Sequence, residues 1–182
     1  MALHDTPICD FGWPAPDFSL KTPEGRVVTR DAIMGEKGLL VAFVCNHCPY
    51  VIAIADRLAA DARALAEFGV NTVAIMSNDY QRYTADAPDK MIGFAAKHGW
   101  EFPYIVDETQ AVGQAYGAVC TPDFFGFDAQ GGLQYRGRLD SAAMGDASMR
   151  TPELVNAMRG VAETGKGPED QTPSMGCSIK WR

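Results

Sequence analysis

Leu39-Leu40-Val41-Ala42-Phe43-Val44 is an unbroken apolar run bounded by Gly38, the pattern of a strand buried on both faces of a sheet. Pro49 follows, suited to the first turn of a helix, where its missing N–H costs nothing. Val51, Ala55, Leu58, Ala62 and Leu65 then recur at three- and four-residue spacing, with Asp56, Arg57, Asp61, Arg63 and Glu67 between them, and Gly69 is placed to end that helix. Asn71–Met76 reads as a second buried strand, so residues 39–76 form a βαβ crossover.

Elsewhere the pattern is more broken. Residues 1–16 read as an irregular arm, held extended at Trp13-Pro14-Ala15-Pro16 by the prolines. Asp17–Leu20, the turn Thr22–Gly25 and Arg26–Val28 predict a β-hairpin, and Thr29 a cap on a short helix over Arg30–Met34 closed by Gly35. After a polar loop holding Tyr80, Arg82 and Tyr83, a helix is predicted over Pro88–His98 with Met91, Phe94 and Ala95 inward. Then come a short strand (Phe102–Val106), a short helix from Asp107 to Tyr116, and a hairpin formed by Phe124–Phe127 and Leu133–Arg138. A last helix runs from about Thr151 to Thr164. The tail, residues 165–182, is rich in Gly, Pro, Ser and Thr until Cys177-Ser178-Ile179-Lys180-Trp181. This order predicts an α/β fold, a mixed central sheet flanked by helices on both faces.

The chain has 182 residues, which fits a single domain over 1–182. A net charge of -7 without a basic run argues against a nucleic-acid partner. No apolar stretch approaches the roughly 20 residues that span a membrane, and the first residues lack a basic region and an apolar core, so neither a membrane association nor a signal peptide is expected. The expected location is the cytoplasm, where thiols stay reduced. Five cysteines is an odd number, which argues against a purely structural disulfide framework.

Two of those cysteines stand at the strand-to-helix hinge, in Cys45-Asn46-His47-Cys48. A helix N-terminus carries partial positive charge and unpaired N–H groups, which favour a thiolate. Cys45, ahead of the helix, is expected nearer the surface and the attacking thiol. Cys48, within the first turn, is expected to resolve the mixed disulfide. His47 is expected to favour the Cys45 thiolate by charge or by a hydrogen bond. Thr121-Pro122 opens a strand where proline cannot donate to the ladder. A cis bond there would expose the Thr121 backbone for substrate pairing; an ordinary trans proline is the other reading. Cys120 either lies near the pair or is a small buried hydrophobe. Cys177 either pairs with Cys120 or is buried by Trp181. Cys9, His4 and His98 receive no functional role.

Ala15-Pro16-Asp17-Phe18, the strand leading into Cys45-Asn46-His47-Cys48-Pro49-Tyr50, and Thr121-Pro122 resemble the thioredoxin fold. More narrowly, the chain resembles the peroxiredoxin-like branch of the AhpC/TSA thioredoxin-fold superfamily. Asp107-Glu108-Thr109-Gln110, Cys120-Thr121-Pro122-Asp123-Phe124-Phe125, Tyr135-Arg136-Gly137 and Pro173–Trp181 match that branch. The resemblance implies a thioredoxin-like fold with an N-terminal β-hairpin extension, Pro122 cis beside the cysteine pair, and thiol-based oxidoreduction with no metal or organic cofactor. Two departures bear on activity. Peroxiredoxins carry P-x-x-x-T-x-x-C, whose threonine helps position the peroxide. Counted from Cys45 those positions hold Gly38 and Ala42, which weighs against efficient peroxide reduction. Thioredoxins carry a buried Asp six residues before the first cysteine; here that position is Leu39, leaving proton handling to His47 or water.

Three functions follow. The leading one is a thiol–disulfide oxidoreductase using Cys45 and Cys48, acting on a protein or small-molecule disulfide and recycled by a cellular thiol reductant. The second is a peroxiredoxin-like antioxidant, with a sulfenic acid on Cys45 resolved by Cys48. The third is soft-metal binding, copper or zinc, by Cys45, Cys48 and His47 with Cys120 or Cys177.

Overall fold

The computed structural model describes residues 2–182; Met1, the first residue of the expected arm, lies outside them. The apolar run forms the middle strand, β4 (Gly38–Phe43), buried at every position. Parallel β5 (Val70–Met76) lies on one side of it and antiparallel β8 (Asp123–Asp128) on the other. The crossover between β4 and β5 is α2 (Pro49–Glu67). Beyond β5 come β6 (Tyr104–Val106) and the hairpin of β2 (Ser19–Lys21) and β3 (Val27–Thr29); beyond β8 comes β9 (Leu133–Tyr135). The result is a seven-stranded mixed sheet in the order β3-β2-β6-β5-β4-β8-β9.

Because side chains alternate across a strand, β4 feeds two cores. Leu40, Ala42 and Val44 pack with Val51, Ala55, Leu58 and Leu65 of α2 and with Leu154 and Met158 of α5 (Glu153–Thr164). Leu39, Val41 and Phe43 pack with Phe18, Phe125, Phe127 and Tyr116, the last from α4 (Ala111–Tyr116). Each fully buried Leu, Val or Phe contributes about 1.5–3 kcal/mol relative to exposure, so the apolar run anchors the hinge rigidly at its lower end. α1 (Arg30–Ile33) starts at Thr29, whose hydroxyl accepts from the Ala32 N–H at 3.2 Å. α3 (Pro88–Lys97) buries Met91. At the end of α2, Gly69 takes the left-handed conformation (φ 79°) that the helix stop requires.

Four segments differ from the sequence pattern. The arm is not wholly irregular: Leu3–Asp5 is a strand, β1. The tail also forms one, β10 (Met175–Ser178), and with β7 (Cys120–Thr121) these make a second sheet in the order β1-β10-β7. Each is too short to show alternation, and each is defined only by its partners from opposite ends of the chain. The polar loop contains a single 3-10 turn, Thr84–Asp86. Asp107 does not begin a helix. It is buried, accepts from Ser77 Oγ at 2.8 Å and the Gly113 N–H at 2.7 Å, and so pins the start of α4 from outside it. Among the described residues no helix is long and apolar enough to cross a membrane.

Candidate active site

β4 ends at Phe43, the chain turns through Cys45–Cys48, and α2 begins at Pro49 with Cys48 as its N-cap. From the side, β7 brings Thr121, and the Thr121–Pro122 bond is cis. Thr121 touches both thiols. Its hydroxyl is 3.5 Å from Cys45 Sγ, and its carbonyl oxygen is 3.1 Å from Cys48 Sγ. The sequence thus brought Cys45, Cys48, Thr121 and Pro122 to one place. It did not place the solvent correctly. Cys45 is 1% exposed and Cys48 0%, so Cys45 does not meet water ahead of the helix; the tail and β7 close over the hinge.

The charge also falls differently from expectation. The neighbouring Cys45 thiol, then Cys177 and Thr121, favour negative charge on the Cys48 sulfur and lower its pKa to about 4, against the burial that raises it. It also heads α2, whose N-terminal dipole adds to the same direction. Cys45 is raised well above its ordinary value, by donating to Cys48, by burial, and by the nearby Asp86 carboxylate. Of the two thiols, Cys48 is therefore the one lowered and Cys45 the one raised.

Asp86 is the residue that the sequence reading missed. It is fully buried and accepts from the Asn46 N–H (2.8 Å), Asn78 Nδ2 (2.9 Å) and His47 Nδ1 (2.7 Å). Its position two residues before the helix-opening Pro88 carries no signal of that role. Hydrogen bonding to Asp86 raises the His47 pKa, which favours the imidazolium, and the ring is stacked on Tyr83 with centroids 5.8 Å apart. Its positive charge is largely cancelled by Asp86, which weakens the tuning of Cys45 expected from position alone. Asn46 is fastened too, by Tyr104 Oη at 3.0 Å and through its Nδ2 to the Ala85 carbonyl at 2.9 Å.

The edge of Thr121 is not open. β10 pairs with β7, Cys177 lying opposite Thr121 and Ser178 opposite Cys120, so an exposed backbone for substrate pairing is absent from this arrangement. Cys177 and Cys120 are both free thiols, and the Cys177 side chain lies on the side of Cys48, while Trp181 reaches Gly113. Cys120 is fully buried, with Sγ 3.5 Å from the Pro122 carbonyl oxygen, and burial raises its pKa. Cys9 is half-buried in the arm, away from the hinge. For a metal, the atoms that converge within 4.8 Å are Cys45 Sγ, a His47 ring nitrogen and an Asp86 oxygen. That set includes neither Cys48, Cys120 nor Cys177, and it mixes a hard carboxylate with a soft thiolate, so it does not match the expected soft-metal ligands.

Residues 11–136 match the AhpC/TSA family model. A Geobacillus kaustophilus structure described as an uncharacterized conserved protein is 38% identical over 100% of this chain and 97% of its own, with a TM-score of 0.93. A hypothetical protein from Sinorhizobium meliloti 1021 is 37% identical over 98% and 97%, with a TM-score of 0.91. A secreted Mycobacterium tuberculosis disulfide oxidoreductase shares the fold at 21% identity over 64% and 80%, with a TM-score of 0.55. No curated protein matches the chain.

Proposed function

The chain belongs to the AhpC/TSA family of thiol-dependent oxidoreductases, and on that premise we propose that it is a thiol–disulfide oxidoreductase whose working unit is the Cys45–Cys48 pair. The observation that carries this reading is that Thr121 touches both thiols at the head of α2, its hydroxyl 3.5 Å from Cys45 Sγ and its carbonyl oxygen 3.1 Å from Cys48 Sγ. The Cys45 proton passes to the Cys48 sulfur only as Cys45 attacks one sulfur of a substrate disulfide. Protonated Cys48 then has an acceptor 3.1 Å away in the Thr121 carbonyl oxygen. The substrate S–S bond breaks, and its electron pair leaves on the departing sulfur, which takes a proton from solvent. Cys48 next releases its proton, attacks Cys45 and expels the second substrate thiolate. The substrate gains two electrons, the pair loses two, and a thiol reductant restores the dithiol. An apolar recess of about 220 Å³ beside Pro122, lined by Tyr50, Ile54, Phe124, Leu139 and Met144, fits an apolar group on the substrate.

A second reading rests on the Thr121 hydroxyl, which stands 3.5 Å from Cys45 Sγ and supplies a donor for a peroxide. In it, Cys45 becomes a sulfenic acid and condenses with Cys48. The test is turnover with a small disulfide and with hydrogen peroxide. The first reading expects disulfide reduction that is lost in both Cys45→Ser and Cys48→Ser. Peroxide consumption without disulfide exchange would replace it with the second.

A further inference from the structure

The tail places a third thiol in the site. β10 runs antiparallel along β7, in the register that sets Cys177 opposite Thr121, the residue in contact with both Cys45 and Cys48. Gly176 makes this approach possible, since a Cβ there would collide with the Thr121 carbonyl oxygen. On its other side β10 is held by β1, with Leu3 opposite Cys177, and Ser174 Oγ donates to the Pro122 carbonyl at 2.8 Å. Cys177 is 4% exposed and belongs to the same packed cluster as Cys45 and Cys48. Thr121, which lies opposite Cys177, sets its carbonyl oxygen 3.1 Å from the Cys48 sulfur, so the register brings Cys177 alongside Cys48. Beyond it, the Lys180 N–H donates to Asn78 Oδ1 at 2.8 Å and Asn78 Nδ2 to Asp86, so the strand is also tied to the carboxylate that holds His47. A strand of this chain therefore lies along the Pro122 edge as a bound peptide would, presenting a cysteine to the pair.

We propose that Cys177 is a third redox thiol, which forms a disulfide with Cys48 and fastens β10 over the site. This rests on the reading of Cys45 and Cys48 as the redox pair. The step is an exchange with no net oxidation. The Cys177 thiolate attacks Cys48 in the Cys45–Cys48 disulfide, the Cys45–Cys48 bond breaks, and its electron pair leaves on Cys45, which takes up the proton that Cys177 lost. The two-electron oxidation left by one substrate disulfide is then held between helix and tail, Cys45 is again a thiol, and the peptide-binding edge stays closed until a reductant acts on Cys48–Cys177.

The experiment uses the full chain, wild type and Cys45→Ser, treated with oxidised glutathione, trapped with an alkylating agent and digested without reduction for peptide mass mapping. In Cys45→Ser, the predominant oxidised product is expected to be a Cys48–Cys177 link, with a loss of two hydrogens and no glutathione adduct. Cys45→Ser/Cys177→Ser is expected to convert that product into a glutathione adduct on Cys48. Wild type is expected to yield both Cys45–Cys48 and Cys48–Cys177 links. Glutathione adducts on Cys45→Ser with Cys177 recovered as a free thiol, alongside a wild type that yields only Cys45–Cys48, would overturn this inference and leave the redox pair standing. A wild type without any Cys45–Cys48 link would instead overturn the pair. The serine replaces a buried sulfur by a smaller atom of the same connectivity, and the wild-type map keeps the outcome readable if the variant is unstable.

Discussion

His47 and Asp86 lie 39 residues apart in sequence and 2.7 Å apart in space, joined through Nδ1 and Oδ2. The pair gives the hinge a buried carboxylate from outside the βαβ unit, and it sets two opposing effects. Asp86 raises the His47 pKa and so favours the charged imidazole, and its own negative charge raises Cys45.

Asp86→Asn separates those effects. The His47 pKa should fall toward its ordinary 6.5 in an NMR titration, because its largest raising influence is gone. The Cys45 alkylation profile should move to lower pH at the same time. The stability that the ion pair supplies is complete below about pH 6.5 and is lost as pH rises through the raised His47 value. The stability difference between wild type and variant should therefore shrink above that range. A Cys45 profile that moves up or stays fixed contradicts the assignment.

Cys48 should keep its negative charge into acid. With its pKa held at about 4, ultraviolet thiolate absorbance of the reduced protein should persist through pH 6 and fade with a midpoint near 4. Since the folded value lies below the ordinary 9.0, the associated stabilisation is present above pH 9 and is lost as pH falls toward 4. Cys48→Ser should abolish the acid-resistant absorbance. A midpoint near 8–9 in wild type would place the proton on Cys48 instead.

Gly176→Ala should lift β10 away from β7, because the added methyl meets backbone rather than a movable side chain. Alkylation of Cys48 should speed up by an order of magnitude or more, as access, not thiolate content, limits it in the wild type. The far-ultraviolet spectrum should change little, since only the small three-stranded sheet is disturbed. Unchanged labelling would mean that the strand does not control access.

Much of the fold was legible because the buried run of β4, the spacing in α2 and the stop at Gly69 are local patterns. The hinge cysteines were legible for the same reason: Pro49 and the apolar run fixed where strand becomes helix. Asp86 was not, because a carboxylate in a polar loop looks solvated until Asn46, His47 and Asn78 surround it. The lid over the cysteines was also hidden. β1, β7 and β10 are short, and only their mutual pairing makes them strands. Cys45 was expected in solvent from its place in the chain, and it is instead buried against Thr121 and Cys48, which only the fold brings to it.

Arg136 and Asp123 form a second buried pair beneath the site, 3.1 Å apart, with the guanidinium 4.3 Å from the Phe125 ring centre. Arg136→Met leaves Asp123 buried without its partner and should destabilise the fold by about 3–5 kcal/mol in denaturant titration. Adding Asp123→Leu should recover most of that loss. A cost below about 1 kcal/mol for the single variant would show that Asp123 is already protonated without its partner.

The redox pair itself is tested most directly by equilibrium titration of the wild-type protein in glutathione buffers of graded ratio, acid-quenched and mapped by peptide mass. The account predicts that Cys45 joins a disulfide with Cys48 in a single reversible transition, recovered identically from the reduced and the oxidised starting states. Cys45 and Cys48 that remain thiols or glutathione adducts at every ratio, never linked to each other, would contradict it.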